Sequence, residues 1–295
     1  MGLDEAIGIV QRLNASTEAL AALAAELRLR TEGLEADPAV RSRLQDVTEQ
    51  LSPGLLDALD VEEQRRALGM IRAFLGQAME LIDHPDRAPG WIHTDPAILQ
   101  SIGRTSMMVA PLIREFVPGA LLTAMNQPGA VFLDIGTGVG WLAVALCQTF
   151  PHATGVGLDI WPPALEMARQ NIEAAGLQER IALREQDIVD LADEDAFDLV
   201  WLPGPFLPEA TTRAALDRGL TALRPGGAMV FGLFAGPPDP LATTLTDLRV
   251  VRSGGRPWSL DEAADLLGAA GYGDVQAIER TWQAPLQMAV GRRPA

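Results

Sequence analysis

An α/β fold is predicted: a seven-stranded, mostly parallel sheet with helices on both faces, preceded by an all-helical region. Three observations carry this. From Ala130 onward, short apolar runs alternate with helical patterning, the signature of a parallel sheet covered on both sides. Before Ala130 the apolar residues recur only at helical spacing. Between the two stands the turn-forming stretch Asn126-Gln127-Pro128-Gly129, which sets a boundary of residues 1–127 against 128–295.

In chain order, Leu3, Ile7, Val10, Leu13, Leu20, Leu23 and Leu27 mark a helix from about Asp4 to just before Gly33. Asp37-Pro38 supplies an N-cap and a first-turn proline for a helix to about Leu51. Ser52-Pro53 opens a short segment, and Asp60 with Glu63 forms a capping-box pattern heading a helix to about Ile82. A turn-rich break covers residues 84–90, and Thr94-Asp95-Pro96 starts helical patterning again. It resumes from Met107 to Met125, interrupted at Pro111 and Pro118-Gly119. The strands are read at 130–135, 153–158, 181–184, 197–202 and 228–234, the last preceded by the turn Arg224-Pro225-Gly226-Gly227. A helix follows the second strand from Pro162 to Ala175, and Ser259 caps another to Ala270. Short strands near 274–278 and 286–290 complete the sheet as an antiparallel pair.

Composition excludes several function classes. A net charge of −16 repels nucleic acid and anionic membranes, and no basic patch offsets it. No apolar run approaches the ~20 residues that span a bilayer, and the N-terminus is acidic where a secretory signal is basic; a soluble cytoplasmic protein is expected. The lone cysteine, Cys147, falls on an apolar helix side, as buried filler does. There is no Lys, which excludes a Walker-type phosphate loop and Schiff-base chemistry.

The chemistry is concentrated in AVFLDIGTGVGWLAVAL, residues 130–146. Asp134 interrupts a strand with no wet face just before the glycines, and Gly136, Gly138 and Gly140 let the chain turn tightly with bare backbone before a helix begins at Trp141. Such a turn presents unpaired N–H groups to a ligand, while the carboxylate beside it accepts hydrogen bonds; a nucleoside-type ligand fits. A dinucleotide fingerprint finds only the looser Gly138, Gly140, Ala143 spacing.

The pattern D-x-G-x-G-x-G resembles the first motif of class I S-adenosylmethionine-dependent methyltransferases, and the order of elements resembles their Rossmann-like fold. The resemblance implies S-adenosylmethionine as cofactor and S-adenosylhomocysteine as product. It implies that the glycine turn packs against the methionine part and that Asp134 contacts its amino group, directly or through water. Asp159, at the end of the second strand, can take both ribose hydroxyls, with Ile160 beside it; capping of the following helix is the other use of that carboxylate. Asp187 matches the position that meets the adenine amino group, with Ile188 against the ring; a solvated loop acid is the other reading, since Asp and Glu are plentiful nearby.

The fourth-strand segment 197–206, holding Trp201, faces the transferring methyl in that family. It lacks the Asn/Asp-Pro-Pro-aromatic sequence of enzymes that methylate nucleic-acid amino groups or glutamine amides, and it lacks the Asp and Asp-Asn pair that hold Mg²⁺ in catechol-type enzymes. A metal-independent enzyme acting on O, N or C of a small acceptor, an aromatic one included, is therefore expected. Trp91, Trp201 and Phe206 are candidates for an aromatic wall, or for core packing. Of His84, His93 and His152, His93 is the candidate base, because it precedes the sheet where relatives fold a lid over the cofactor. The N-terminal helices are expected to cover the substrate and to mediate a homodimer. Two competitors stand: a non-catalytic adenosyl-ligand-binding protein, and a nicotinamide-dependent oxidoreductase.

Overall fold

The computed structural model describes residues 2–91, 94–236, 239–282 and 284–295. The chain falls into two compact units, residues 1–86 with 95–102, and residues 87–94 with 103–295.

The first unit is helical: α1 (Leu3–Glu32), α2 (Pro38–Leu51), the short α3 (Leu55–Ala58), α4 (Val61–Asp83) and the first part of α5 (Pro96–Thr105). The local signals act as expected. Gly33 ends α1 in the left-handed conformation, Asp37 accepts from Ala39 N–H at 2.9 Å, and Asp60 and Glu63 close a reciprocal capping box. The unit's core is small: Leu27, Leu56, Leu68 and Ile71, flanked by Leu20, Leu23 and Leu75. Glu26 is buried there and accepts from Arg30 Nε at 2.9 Å.

The second unit holds the sheet: β1 (Val131–Ile135), β2 (Thr154–Asp159), β3 (Ile181–Glu185), β4 (Phe197–Pro203), β5 (Leu223–Phe234), β6 (Gly273–Ile278) and β7 (Leu286–Arg292). The strand order is β3-β2-β1-β4-β5-β7-β6, with β7 antiparallel to both neighbours and the other pairs parallel. The all-parallel dinucleotide-binding order lacks such an inserted antiparallel strand.

Both faces of the sheet's central strands are dry, with strand residues alternating between them. Phe132, Leu199, Trp201 and Val230 pack on one face with α6 (Val109–Phe116), α7 (Trp141–Thr149) and α8 (Pro162–Ala174). Leu133, Val200, Leu202 and Phe231 pack on the other with α9 (Glu209–Ala222) and α11 (Leu260–Ala269). Residues 103–127, grouped with the helical region by pattern, cluster with the sheet because Val109, Ala110, Ile113, Leu121 and Met125 are buried in its core.

Two features depart from the sequence reading. β5 starts at Leu223, and the turn Arg224–Gly227 is a bulge inside it: Phe197 pairs Leu223, then Leu199 pairs Ala228. A further helix, α10 (Pro240–Arg252), follows β5, started by Asp239, whose carboxylate accepts from Ala242 N–H at 2.7 Å. Among the described residues no helix is long and apolar enough to cross a membrane.

Candidate functional site

The strand order reverses between β1 and β4, and open α/β sheets bind ligands in the crevice beyond the strand ends at such a switch point. The glycine turn leaves β1 there, and Pro203-Gly204 leaves β4 opposite it. Gly136, Gly138 and Gly140 have φ of 63°, 56° and 81°, the left-handed region a side chain disfavours. Around a Cβ added at Gly138 the nearest atom is Gly136 O at 4.0 Å, so this backbone faces open space.

The turn is pinned from the β2 side. Asp159 Oδ2 accepts from Gly138 N–H at 2.8 Å and its Oδ1 from Trp161 N–H at 2.9 Å. Thr137 N–H donates to Leu158 O at 2.8 Å, and Asn171 Nδ2 donates to Val139 O at 2.8 Å. Asp159 thus fastens the glycine turn and the start of α8 together, while its two oxygens keep lone pairs for a ligand. Burial pushes its carboxyl above the usual range, and the Trp161 and Gly138 amides pull against that. Ile160, 68% exposed, extends an apolar surface beyond it.

Asp134 is used differently. Its carboxylate is 1% exposed and accepts from Thr137 Oγ1 at 2.7 Å, so it braces the turn from beneath. Burial pushes it up to about 7, with Thr137 opposing and Asp159 reinforcing the rise. Thr137 sits close to β2 only because residue 157 is glycine: a Cβ there would come within 2.8 Å of the threonine hydroxyl. Sequence pattern singled out neither Thr137 nor Gly157, since both act through contacts distant in sequence.

Asp187 accepts from Val189 N–H at 3.1 Å, capping a short 3₁₀ turn after β3, and Ile188 is buried in the sheet core. Trp201 is buried too: a Cβ at Gly232 would fall 2.0 Å from its ring, so β5 leaves the space that the indole fills. The aromatic cluster at the ends of β4 and β5 is instead Trp91, Phe206 and Phe234, with edge-to-face contacts at 5.6 and 5.4 Å. Phe234 is a member the sequence reading did not name. Trp91 is held in place by Gly90, whose N–H donates to Arg252 O at 3.0 Å, and by Arg87, which bonds Gly90 O and Arg252 O.

His93 lies outside the described residues. His84 and His152 are exposed. Cys147 is buried, and burial pushes its thiol up to about 11, as befits packing rather than chemistry.

The residues present suit an adenosyl ligand: an open glycine backbone, a half-buried carboxylate with free lone pairs, and an apolar shelf. Residues 132–227 match the family described as methyltransferase domain. This match identifies residues 132–227 as a class I S-adenosylmethionine-dependent methyltransferase domain, an enzyme class whose cofactor is S-adenosylmethionine. This sets aside the oxidoreductase reading. The chain is 27% identical to release factor glutamine methyltransferase of Rhodopirellula baltica over 180 residues, 60% of this chain and 59% of that one. It is 40% identical to demethylmenaquinone methyltransferase of Thermus thermophilus over 116 residues, 39% of this chain and 52% of that protein. The chain thus spans less than two thirds of either relative. Human N-acetylserotonin methyltransferase, solved in complex with its methyl donor, superposes with a TM-score of 0.67 at 19% identity, covering 100% of both chains, which shows the shared fold.

Proposed function

We propose that the chain transfers the methyl group of S-adenosylmethionine to an O, N or C atom of a small metabolite, without a metal. The observation that carries this is Asp159, held by Gly138 N–H and Trp161 N–H at the sheet's switch point. In this reading Asp159 and Ile160 receive the nucleoside, and Gly136, Gly138 and Gly140 give the methionine part close access to backbone. Asp134 and Thr137 keep the turn in shape, and Asp187 and Ile188 frame the adenine end.

The bound cofactor supplies an electrophilic methyl on a sulfonium. The chain's own residues align the acceptor and exclude water, and any base serves only an acceptor that must lose a proton. The cluster of Trp91, Phe206 and Phe234 beyond β4 and β5 supports a small, planar acceptor, since edge-to-face rings line that end and a flat ligand can extend them. His93 is proposed as the base where one is needed. The segment 201–206 reads Trp-Leu-Pro-Gly-Pro-Phe, which argues against methylation of glutamine amides or nucleic-acid amino groups.

Titration calorimetry with S-adenosylmethionine, S-adenosylhomocysteine and NAD on wild type, Asp159→Asn and Asp159→Ala tests the reading. Micromolar binding of both adenosyl ligands, weakened at least about tenfold by Asp159→Ala, with NAD silent, is the expected result. A folded, ligand-free chain that binds neither adenosyl ligand refutes it. Once an acceptor is found by screening, turnover unchanged in EDTA is the outcome expected without a metal.

A further inference from the structure

Beside the aromatic cluster is a recess that no part of the scheme above uses. Its walls include Pro205 after β4, Phe234 at the end of β5, Thr246 and Asp247 on α10, and Arg256 and Trp258 just before α11. It has about 20 Å³ of room for the centre of a water-sized group. That is about what one water or one oxygen substituent occupies, so the recess takes a single polar group and not a whole ligand.

Trp258 is the distinctive wall. Its indole is 6% exposed, and its N–H is buried with no hydrogen-bond partner among the described residues. Leaving a buried donor unpaired costs about 1–3 kcal/mol, and buried indole N–H groups generally have partners. The ring is fixed: the Arg256 guanidinium stacks 4.0 Å from its centroid and that of Arg213 lies at 5.8 Å. The N–H therefore cannot turn away to water without breaking this stack.

Charge identifies what the donor is for. Arg256 is already paired with Glu209 at 3.1 Å and with Glu262 at 2.7 Å, and Asp247 adds a carboxylate to the same recess. With its cation compensated and an acid among its lining residues, the recess disfavours an anion. An uncharged oxygen accepts from the indole without that penalty.

We infer that the Trp258 N–H is a specificity-determining donor and that the recess takes a neutral carbonyl or hydroxyl oxygen carried on the planar acceptor. The inference rests on the acceptor lying at the ends of β4 and β5, as proposed above. Pro205 and Phe234 link the two places: Phe234 belongs to the ring cluster and lines the recess, and Pro205 precedes Phe206.

The ¹⁵N-labelled full chain has six tryptophans, and Trp258→Phe assigns the indole resonance that disappears. If that variant does not fold, Arg256→Gln assigns the resonance, because removing the stacked guanidinium shifts it. Titration uses acetophenone as the neutral carbonyl probe, benzoate as its anionic counterpart, and toluene as the ring without oxygen. Acetophenone is expected to move the Trp258 N–H resonance downfield and saturably, and toluene to leave it near its free position. Benzoate is expected to bind at least about tenfold more weakly, and Asp247→Asn to narrow that gap several-fold. The inference is overturned if acetophenone leaves the Trp258 resonance unmoved, or if benzoate binds wild type as tightly as acetophenone. An unmoved resonance in a chain that binds S-adenosylmethionine defeats the subsite alone. A shifted resonance in a chain that binds neither adenosyl ligand defeats the methyl-transfer reading alone.

Discussion

Asp134 and Asp159 come from strand ends that pair side by side, yet their surroundings give them opposite duties. Asp134 lies under the turn with its carboxyl raised to about 7, while Asp159 stands at the rim, tied to two backbone amides. An acid whose folded pKa exceeds its unfolded value of 3.8 binds its proton more tightly in the native state. Its contribution is greatest below pH 3.8 and is lost as pH rises through about 7. Across that window the slope from this one site is at most about 1.4 kcal/mol per pH unit, so Asp134→Asn should flatten the fall in stability. Urea melts of wild type and variant from pH 4 to 8 read this directly, and parallel curves would exclude it. The same carboxyl lies below the turn where the cationic methyl donor is proposed to bind. A bound cation favours its ionised form, so cofactor affinity should rise as pH approaches 7 and binding should release a proton. Calorimetry in buffers of different ionisation enthalpy measures that proton; Asp134→Asn should abolish its release.

At the scale of elements, β4 and β5 form a matched pair in which one strand gives up a side chain so that the other can bury an indole. A Cβ at Gly232 would meet the Trp201 ring at 2.0–2.8 Å, and that ring belongs to the sheet's core. Gly232→Ala should therefore cost about 1–3 kcal/mol, as overpacking does, and Trp201→Phe in the same chain should recover part of it. A double-mutant cycle of thermal or urea melts would show the coupling; additive losses would mean the indole sits elsewhere. This pairing also shows what sequence could and could not convey. The apolar runs of β1, β4 and β5, the glycine turn and the caps at Asp37 and Asp60 were legible because each rests on neighbours within a few residues. The signal for α10 was present in Asp239-Pro240, the same pair type as Asp37-Pro38, but the helix has only a weak apolar face and its patterning gave no mark. The bulge in β5 was hidden because Arg224–Gly227 looks like a free turn until Leu223 is seen pairing with Phe197. The ring cluster joins residues 91, 206 and 234, and the partnerless Trp258 N–H depends on what surrounds it; no spacing rule encodes either.

For the whole molecule, the two units differ in how their apolar surface is spent. The sheet unit buries two apolar layers, whereas the helical unit has a small core and leaves large side chains of α1 in water. Leu3, Ile7, Val10 and Leu13 are 75%, 44%, 65% and 57% exposed, and their spacing puts them along one stripe of the helix. Scattered apolar residues on a surface need no explanation, but a contiguous stripe of four on one helix is the kind of surface that association covers. A second copy is the simplest cover, because a two-fold axis lays the same stripe against itself and needs no other sequence to complement it. The net charge of −16 opposes that association at long range, so the dimer should tighten as salt screens it. Sedimentation velocity should therefore show a dimer whose dissociation constant falls between 20 mM and 300 mM salt. Ile7→Glu with Val10→Glu should give a monomer at every salt concentration. Both substitutions sit on the exposed side of α1, away from Leu27 and the rest of the unit's core, so the variant should keep the wild-type melting profile of a folded chain. A wild-type chain that sediments as a monomer at all salt concentrations would leave the stripe without this partner. A variant that remains dimeric would place the interface on another surface.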